Sequence, residues 1–396
     1  MPNFSIIRTL LLPELALIRF RTHLHNRVIE VEAEKVPRDE YCPRCATLSR
    51  SAHDHRWIRI KDEPLRGYQV RLVIRKRRLW CRPCGKAFTE PLPGIRKGAR
   101  HTERYGRALL NACERYSDLS RVRRDFRCSA GFLYRALYRH LDLEARKRCH
   151  PWPKVLGIDE HFFRRNTEHH AREFVSMVVD MRARRLFELV EGRTTEALSQ
   201  SLQHIPGRDN VQLVAIDMCD PYRSFVRSFF PNARIVADKF HVLRLLNPAL
   251  TKRRIEASGD RRSLPIRRLL LRNGPSLDSF QRLHVREWLG RHPALREVYE
   301  AKEALHRLYR CRGLKRAGFG FNKVLARLAP SRLPELRTLR RTLVRWRSEI
   351  LAYFETRVTN GRTEGFNLKA KLVKRRAFGY RSFRNYRLRL LNACAQ

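Results

Sequence analysis

The sequence predicts a multidomain α+β protein. Three observations carry that prediction: two Cys-x-x-Cys pairs flank a strand-like segment, short helical patterns follow, and apolar strands then alternate with helices around a long stretch of purely helical periodicity. The 396 residues suffice for about two to three domains. With 85 Lys plus Arg against 39 Asp plus Glu, the formal charge of +46 suits a polyanionic partner, and nucleic acid is the expected one. At 43% hydrophobic and 9% aromatic the chain can bury true cores, which excludes a disordered basic tail.

Residues 1–40 read as a lead-in. Their apolar run "LLLPELALI" is interrupted by Pro13 and Glu14 and no small-residue cleavage site follows, so it is neither signal peptide nor membrane span. Ten cysteines without an export signal imply a reducing compartment. The expectation is a cytoplasmic, nucleoid-associated protein without a membrane partner.

Residues 41–95 predict a zinc ribbon. "YCPRC" and "WCRPC" present Cys42, Cys45, Cys81 and Cys84, four thiolates for one tetrahedral Zn²⁺. Between them "YQVRLVIRKRRLW" alternates Val70, Leu72 and Ile74 with Arg71 and Arg75, as a half-exposed strand does. His53 or His55 could replace a cysteine, and four thiols without metal are the bland alternative. Cys113, Cys128, Cys149, Cys219, Cys311 and Cys394 are scattered singly and read as small buried hydrophobes.

After the connector "PLPGIRKG", residues 100–148 outline a helix-turn-helix DNA-binding domain. "TERYGRALLNACERYS" carries an apolar stripe at Tyr105, Leu109 and Ala112, "DLSRVRRDFR" is a short second helix, and "SAGFLYRALYRHL" a third with Ser129 as N-cap. On this reading Arg135 and Arg139 face the groove beside Tyr134 or Tyr138. The alternative buries the tyrosines and leaves the arginines solvated.

Past "HPWPK" the strand runs "VLGIDEHFF", "EFVSMVVDM" and "RLFELVEG" are followed by helix, strand "VQLVAIDMC", helix, and strand "ARIVADKFH". An order β-β-β-α-β-α-β whose first and fourth strands finish on Asp159 and Asp217 is the layout of a ribonuclease H-like domain, in which those two strands are neighbours. Residues 243–355 are helical throughout and read as an all-helical insertion, so that the catalytic domain comprises 152–242 and 356–396. From Thr359 to Gln396 ten Lys and Arg stand against one acid, Glu364.

"GIDE", "DMCDPY", "FPNARIVADKFHV", "TNGRTEGFN" and "KRRAFGYRSF" resemble, in order and spacing, the ISL-three family of bacterial insertion-sequence transposases, from about Cys42 to the C-terminus. The resemblance implies that the ribbon and helix-turn-helix bind the element's ends, and that Asp159, Asp217 and Glu364 form a catalytic Asp-Asp-Glu triad. Hard cations take carboxylate oxygens, so two Mg²⁺ (or Mn²⁺) ions would serve both ends of an in-line phosphodiester displacement. Asp238 and His241 form a D-x-x-H pair expected either to shape that site or merely to cap a helix. Lys369, Lys371, Lys374, Arg375 and Arg376, beyond Glu364, would hold DNA phosphates.

Other acids have other readings: Glu160 points to the opposite strand face, Asp180 ends an inner strand, and Asp220 caps the helix before Pro221. Trp346 could stack on a flipped base or sit in a core. The expected activity is DNA cleavage and strand transfer at double-stranded terminal inverted repeats and target DNA, by a dimer or larger assembly when two ends are synapsed. The alternatives are a transposase-derived DNA-binding regulator and a ribonuclease H-like nuclease such as a junction resolvase.

Overall fold

A computed structural model describes residues 11–116, 118–165, 172–262 and 265–395. The chain divides into two compact units, Met1–Glu144 and Ala145–Gln396. The first ten residues of the expected lead-in lie outside the described residues.

In the first unit the rest of that lead-in belongs to the fold. Strands β1 (Leu15–His23) and β2 (Val28–Lys35) join β5 (Ala52–Leu65) and β6 (Tyr68–Cys81) in the order β1-β2-β6-β5, with β7 (Lys86–Thr89) also paired to β6. The apolar side chains of β2 and β6 make the reason physical. Ile29, Val31 and Ala33 face Val70, Leu72 and Ile74 across a parallel pairing, and Leu12, Leu15, Ile60 and Leu92 close the same core. Strand β6 is long enough to serve two partners on one edge: its first half pairs with β2 and its last residues, Arg78 to Cys81, with β7. The short strands β3 (Glu40–Tyr41) and β4 (Leu48–Ser49) pair with each other around the first cysteine knuckle.

Three helices follow in the same unit. Helix α1 (Glu103–Arg115) is N-capped by Thr102, α2 (Leu119–Asp125) by Asp118, and the Ser129 hydroxyl accepts from Phe132 N at the start of α3 (Ala130–Lys147). The stripe on α1 continues onto Cys113 rather than Ala112, because Tyr105, Leu109 and Cys113 recur every four residues on the buried face. The sheet grips this segment at both ends. Buried Asp62 on β5 accepts from Thr102 Oγ1 at 2.6 Å and from Arg104, while Lys61 and Gln69 donate to the carbonyls of Arg127 and Asp125 in and before the α2–α3 turn.

The second unit is built on a five-stranded sheet. Strands β8 (Val155–Arg165), β9 (Arg172–Asp180) and β10 (Arg185–Glu191) form an antiparallel meander; β11 (Leu213–Ile216) and β12 (Arg234–Ala237) lie parallel to β8, giving the order β10-β9-β8-β11-β12. Helices α4 (Thr195–Leu202) and α5 (Asp220–Phe229) make the crossovers. After α6 (Lys239–Arg244) the segment expected to be helical contains α7 (Asn247–Ser258), α8 (Pro265–Leu271), α9 (Ser279–Arg291), α10 (Pro293–Arg310), α11 (Leu314–Leu328), α12 (Pro334–Arg345) and α13 (Arg347–Thr356). Their apolar faces share one continuous core with Leu156, Ile158, Val214 and Ile216 of the sheet. Trp346 lies in that core, with the Arg223 guanidinium 4.7 Å from its ring centroid.

The chain then crosses to the opposite face. Helices α14 (Gly361–Arg376) and α15 (Phe383–Ala393) pack Ala370, Tyr386 and Leu390 against Val155, Val175, Met177 and Val179. Alternation along β8 thus sends Ile158 to one core and Gly157 and Asp159 toward α14.

Two smaller expectations are corrected. Asp220 is the first residue of α5, whose N-cap is Cys219 without a side-chain bond, and its carboxylate pairs with Arg345. Of the six scattered cysteines only Cys113 and Cys394 are buried, and Cys149 is exposed.

Candidate functional site

Among the described residues, two groups of side chains could hold a cation. In the first, the knuckle between β3 and β4 carries Cys42 and Cys45, and the turn from β6 to β7 carries Cys81 and Cys84. Each knuckle closes on a left-handed residue just after its second cysteine, Ala46 at φ 56° and Gly85 at φ 58°. The Sγ atoms of Cys45 and Cys81 are 3.5 Å apart and those of Cys42 and Cys84 3.9 Å, and all four lie within 4.8 Å of one another. A tetrahedral zinc with about 2.3 Å bonds needs sulfur separations of about 3.8 Å, so these residues fit Zn²⁺. Hydrogen bonds from Thr47 pull the Cys45 thiol down to about 6, whereas its hydrogen bond with Cys45, burial and the other thiols push Cys84 up to about 12. Four such sulfurs ionise together only around a cation. His53 is not among them; it stacks on Trp80.

The second group forms where β11 and β12 end level beside the middle of β8, which does not finish on Asp159 as expected but runs on to Arg165 because it stays paired with β9. Ile158, Ile216 and Ala237 are in register across β8, β11 and β12, so Asp159, Asp217 and Asp238 follow side by side, one strand spacing apart. Ligand atoms of Asp159, Asp217 and His241 lie within 4.8 Å of one another. Asp159 Oδ1 accepts from Glu160 N at 2.8 Å; its Oδ2 accepts from Asn367 Nδ2 at 2.7 Å and lies 3.4 Å from the Thr363 hydroxyl. Asp217 Oδ1 lies 3.0 Å from His241 Nδ1 but is buried without a hydrogen-bond partner. Burial, and then the charge of Asp159, push the Asp217 carboxyl up to about 8; burial raises Asp159 too. An orphaned oxygen beside a second crowded carboxylate is the environment a divalent cation satisfies, so these residues fit a hard metal.

Asp238 works differently. It N-caps α6 through Phe240 N and His241 N, accepts from His241 Nδ1 at 3.0 Å, and takes Asn360 N at 2.8 Å on its other oxygen. Burial opposes its charge, but these hydrogen bonds outweigh burial and hold its carboxyl below the usual range, while the Asp238 bond raises His241. Asn360 completes the tie by donating Nδ2 to Ile158 O at 2.9 Å. A Cβ on Gly157 would come 2.4 Å from Asn360 Oδ1, so glycine is what lets α14 approach β8 this closely.

Glu364 stands outside this group. It lies in the first turn of α14, one residue beyond Thr363, with its side chain 65% exposed and 3.7 Å from Arg244. Glu160 pairs with Arg193, and Asp180 caps the β9–β10 turn through Arg182 N and Ala183 N. Along α14, Lys369, Lys371, Arg375 and Arg376 are exposed. Lys374 is spent instead on the carbonyls of Phe162 and Phe163, because α14 runs beside β8 and reaches its end there. On α3, Arg135 and Arg139 are exposed, two positions from the buried stripe Leu133, Leu137 and Leu141; Tyr134 is exposed and stacks on Tyr138. Sequence reasoning gave no role in the site to Asn360, Thr363 or Asn367. The signal was their recurrence at helical spacing, 360, 363 and 367, which puts three small polar groups on the face toward the sheet.

Residues 156–390 match the ISL3 transposase family model, described as "Transposase", and residues 39–84 match the "zinc-finger of transposase IS204/IS1001/IS1096/IS1165". A curated relative, "Transposase for insertion sequence element IS1001" of Bordetella parapertussis, is 28% identical over 369 residues, covering 90% of this chain and 89% of the relative. Similarity over the whole two-unit architecture, together with a family match across the sheet, its acidic cluster and α14, identifies the chain as a member of the ISL3 family of insertion-sequence transposases.

Proposed function

We propose that this transposase cleaves and joins DNA at terminal inverted repeats by two-metal chemistry, with Asp159, Asp217 and Glu364 as its three acids. The observation that carries the reading is the buried Asp217 Oδ1, which accepts no hydrogen bond and lies beside Asp159 and the His241 ring. Two Mg²⁺ (or Mn²⁺) ions there would activate the attacking oxygen and stabilise the leaving one. The chain's own residues do the positioning. Asn367 and Thr363 orient Asp159, and His241 borders Asp217 while Asp238 holds its ring. Among the described residues Glu364 is held by an exposed pair with Arg244, which contributes little and is easily exchanged for a phosphate. Asp238 itself is a poor third ligand, since both its oxygens already accept protein N–H groups.

The sheet order β10-β9-β8-β11-β12, with Asp159 within β8 beside Asp217 at the end of neighbouring β11, supports a ribonuclease H-like catalytic domain over 152–242 and 356–396, interrupted by helices. Helices α1 to α3 support a helix-turn-helix in which Arg135 and Arg139 read base edges, beside a zinc-bound ribbon. Lys369, Lys371, Arg375 and Arg376 hold phosphates near the reacting strand, with Lys374 bracing α14. Two ends must be brought together, so the active species is a dimer or larger on DNA. Among the described residues no helix is long and apolar enough to cross a membrane, and a cytoplasmic location suits a DNA substrate.

Incubation of the protein with labelled element ends and Mg²⁺ tests the reading. Joining of 3′ ends to target DNA supports it; cleavage without joining would make the protein a nuclease, and binding alone a regulator.

A further inference from the structure

Phe378 is 98% exposed, more than any other large hydrophobic residue among those described, and belongs to no core. Its backbone is unusual as well. Helix α14 closes through Ala377 N to Val373 O, Phe378 N to Arg375 O at 3.2 Å and Gly379 N to Lys374 O at 3.0 Å, which places Phe378 at φ 53°. That left-handed slot after a helix ordinarily takes Gly or Asn, because a bulky side chain is strained there. The next residue, Gly379, is also at positive φ (100°) with open space around it, so the turn has two such positions in succession and an aromatic residue holds the first. No packing repays the strain, and strain without a packing return concentrates at functional sites. The ring is flanked by exposed Arg375, Arg376 and Arg381. The only acid from Thr359 to the C-terminus is Glu364.

We infer that Phe378 is a wedge that inserts between adjacent base pairs of duplex DNA at the element end. This rests on the reading above that the basic side of α14 faces the DNA. Insertion would bury both faces of a ring that is otherwise wholly in water, offsetting the cost of unstacking one step, while the flanking arginines fix the phosphates on either side. The position sets the reach. From Thr363, which touches Asp159, to Arg376 is about 20 Å of helix, so a duplex running along α14, at about 3.4 Å per base pair, would be opened about six base pairs from the reacting phosphate.

The test uses the full-length protein and element-end duplexes carrying 2-aminopurine at successive positions, without Mg²⁺ so that no strand is cut. Parent protein should raise the fluorescence severalfold at one step, the sign of lost stacking. Phe378→Ala should bind the ends within about threefold of parent yet give no rise, and Phe378→Trp should keep it. Phe378→Gly should also lose the rise while melting higher than the parent, since it relieves the strained backbone. End binding with no rise for the parent at any position, or an undiminished rise for Phe378→Ala, overturns the wedge and leaves the catalytic reading standing. Failure of the parent to bind its ends overturns both. Weaker self-association of Phe378→Ala in the absence of DNA would assign the ring to a second copy of the chain and also overturn the wedge.

Discussion

The cysteine cluster and the aspartate cluster both suit divalent cations, but they are assembled in opposite ways. The four sulfurs come from two local knuckles, one between β3 and β4 and one between β6 and β7, and all lie close enough to share an ion. The acidic site draws on Asp159, Asp217 and His241 from three separate segments, and the carboxylate expected to complete it, Glu364, is exposed and paired with Arg244. A structural metal site is closed by its protein ligands, whereas a catalytic one keeps positions open for substrate. On this account the ribbon is complete by itself, and the acidic site becomes complete only when DNA phosphates compete for Arg244.

The sharpest way to break the comparison is to remove the acids. Asp159→Asn and Asp217→Asn should each lower strand cleavage in Mg²⁺ by at least ~10³-fold, with end binding retained and the double variant hardly worse than either single one. Gel assays of cleavage and binding on the same preparations check this. Next in size is Gly157→Ala. Its methyl would meet Asn360 Oδ1 at 2.4 Å and Met181 Sδ at 2.8 Å, so α14 must shift. A cost of about 1–3 kcal/mol in denaturant unfolding and about 100-fold in cleavage are expected, for a displacement of order 1 Å.

The zinc cluster should fail in the other way. Cys81→Ser should leave less than about half an equivalent of zinc after purification, weaken end binding, and lower the stability of the ribbon rather than of the sheet unit. Element analysis and hydrogen exchange over the two units separate those outcomes.

The smallest effect is on pH. The Asp217 carboxyl is raised to about 8, so its protonated form is favoured in the fold. The stability this lends is complete below the ordinary carboxylate value near ~4 and is lost as pH rises through about 8. Metal-free protein should therefore lose a few °C of Tm between about pH 5 and 8 relative to Asp217→Asn, and Mg²⁺ should restore it.

What could be read from sequence follows from the same contrast. Cys-x-x-Cys knuckles and the alternation of Val70, Leu72 and Ile74 are local patterns, and so are Asp217 and Asp238 at the ends of apolar strands, whereas β8 runs past Asp159 to Arg165. The strand β1 was hidden because almost all of its residues are exposed, leaving no alternation to detect. Lys374 was indistinguishable from its basic neighbours until β8 was beside it. Asn360, Thr363 and Asn367 carried no charge or metal-binding signature, and their roles depend on Gly157, Ile158 and Asp159, about two hundred residues earlier. Cys128, Cys219 and Cys311 are only half-buried because each lies at a turn or helix end rather than on a buried stripe.

The central claim is that Glu364 completes the acidic site when DNA is bound. The most direct measurement is Mg²⁺-dependent strand cleavage by Glu364→Gln, made beside end binding and beside Asp159→Asn. The account predicts that Glu364→Gln binds the ends within about threefold of the parent but cuts at least ~10³-fold more slowly, as Asp159→Asn does. Cleavage by Glu364→Gln within about tenfold of the parent, while Asp159→Asn is inactive, would contradict the account and place the third ligand elsewhere.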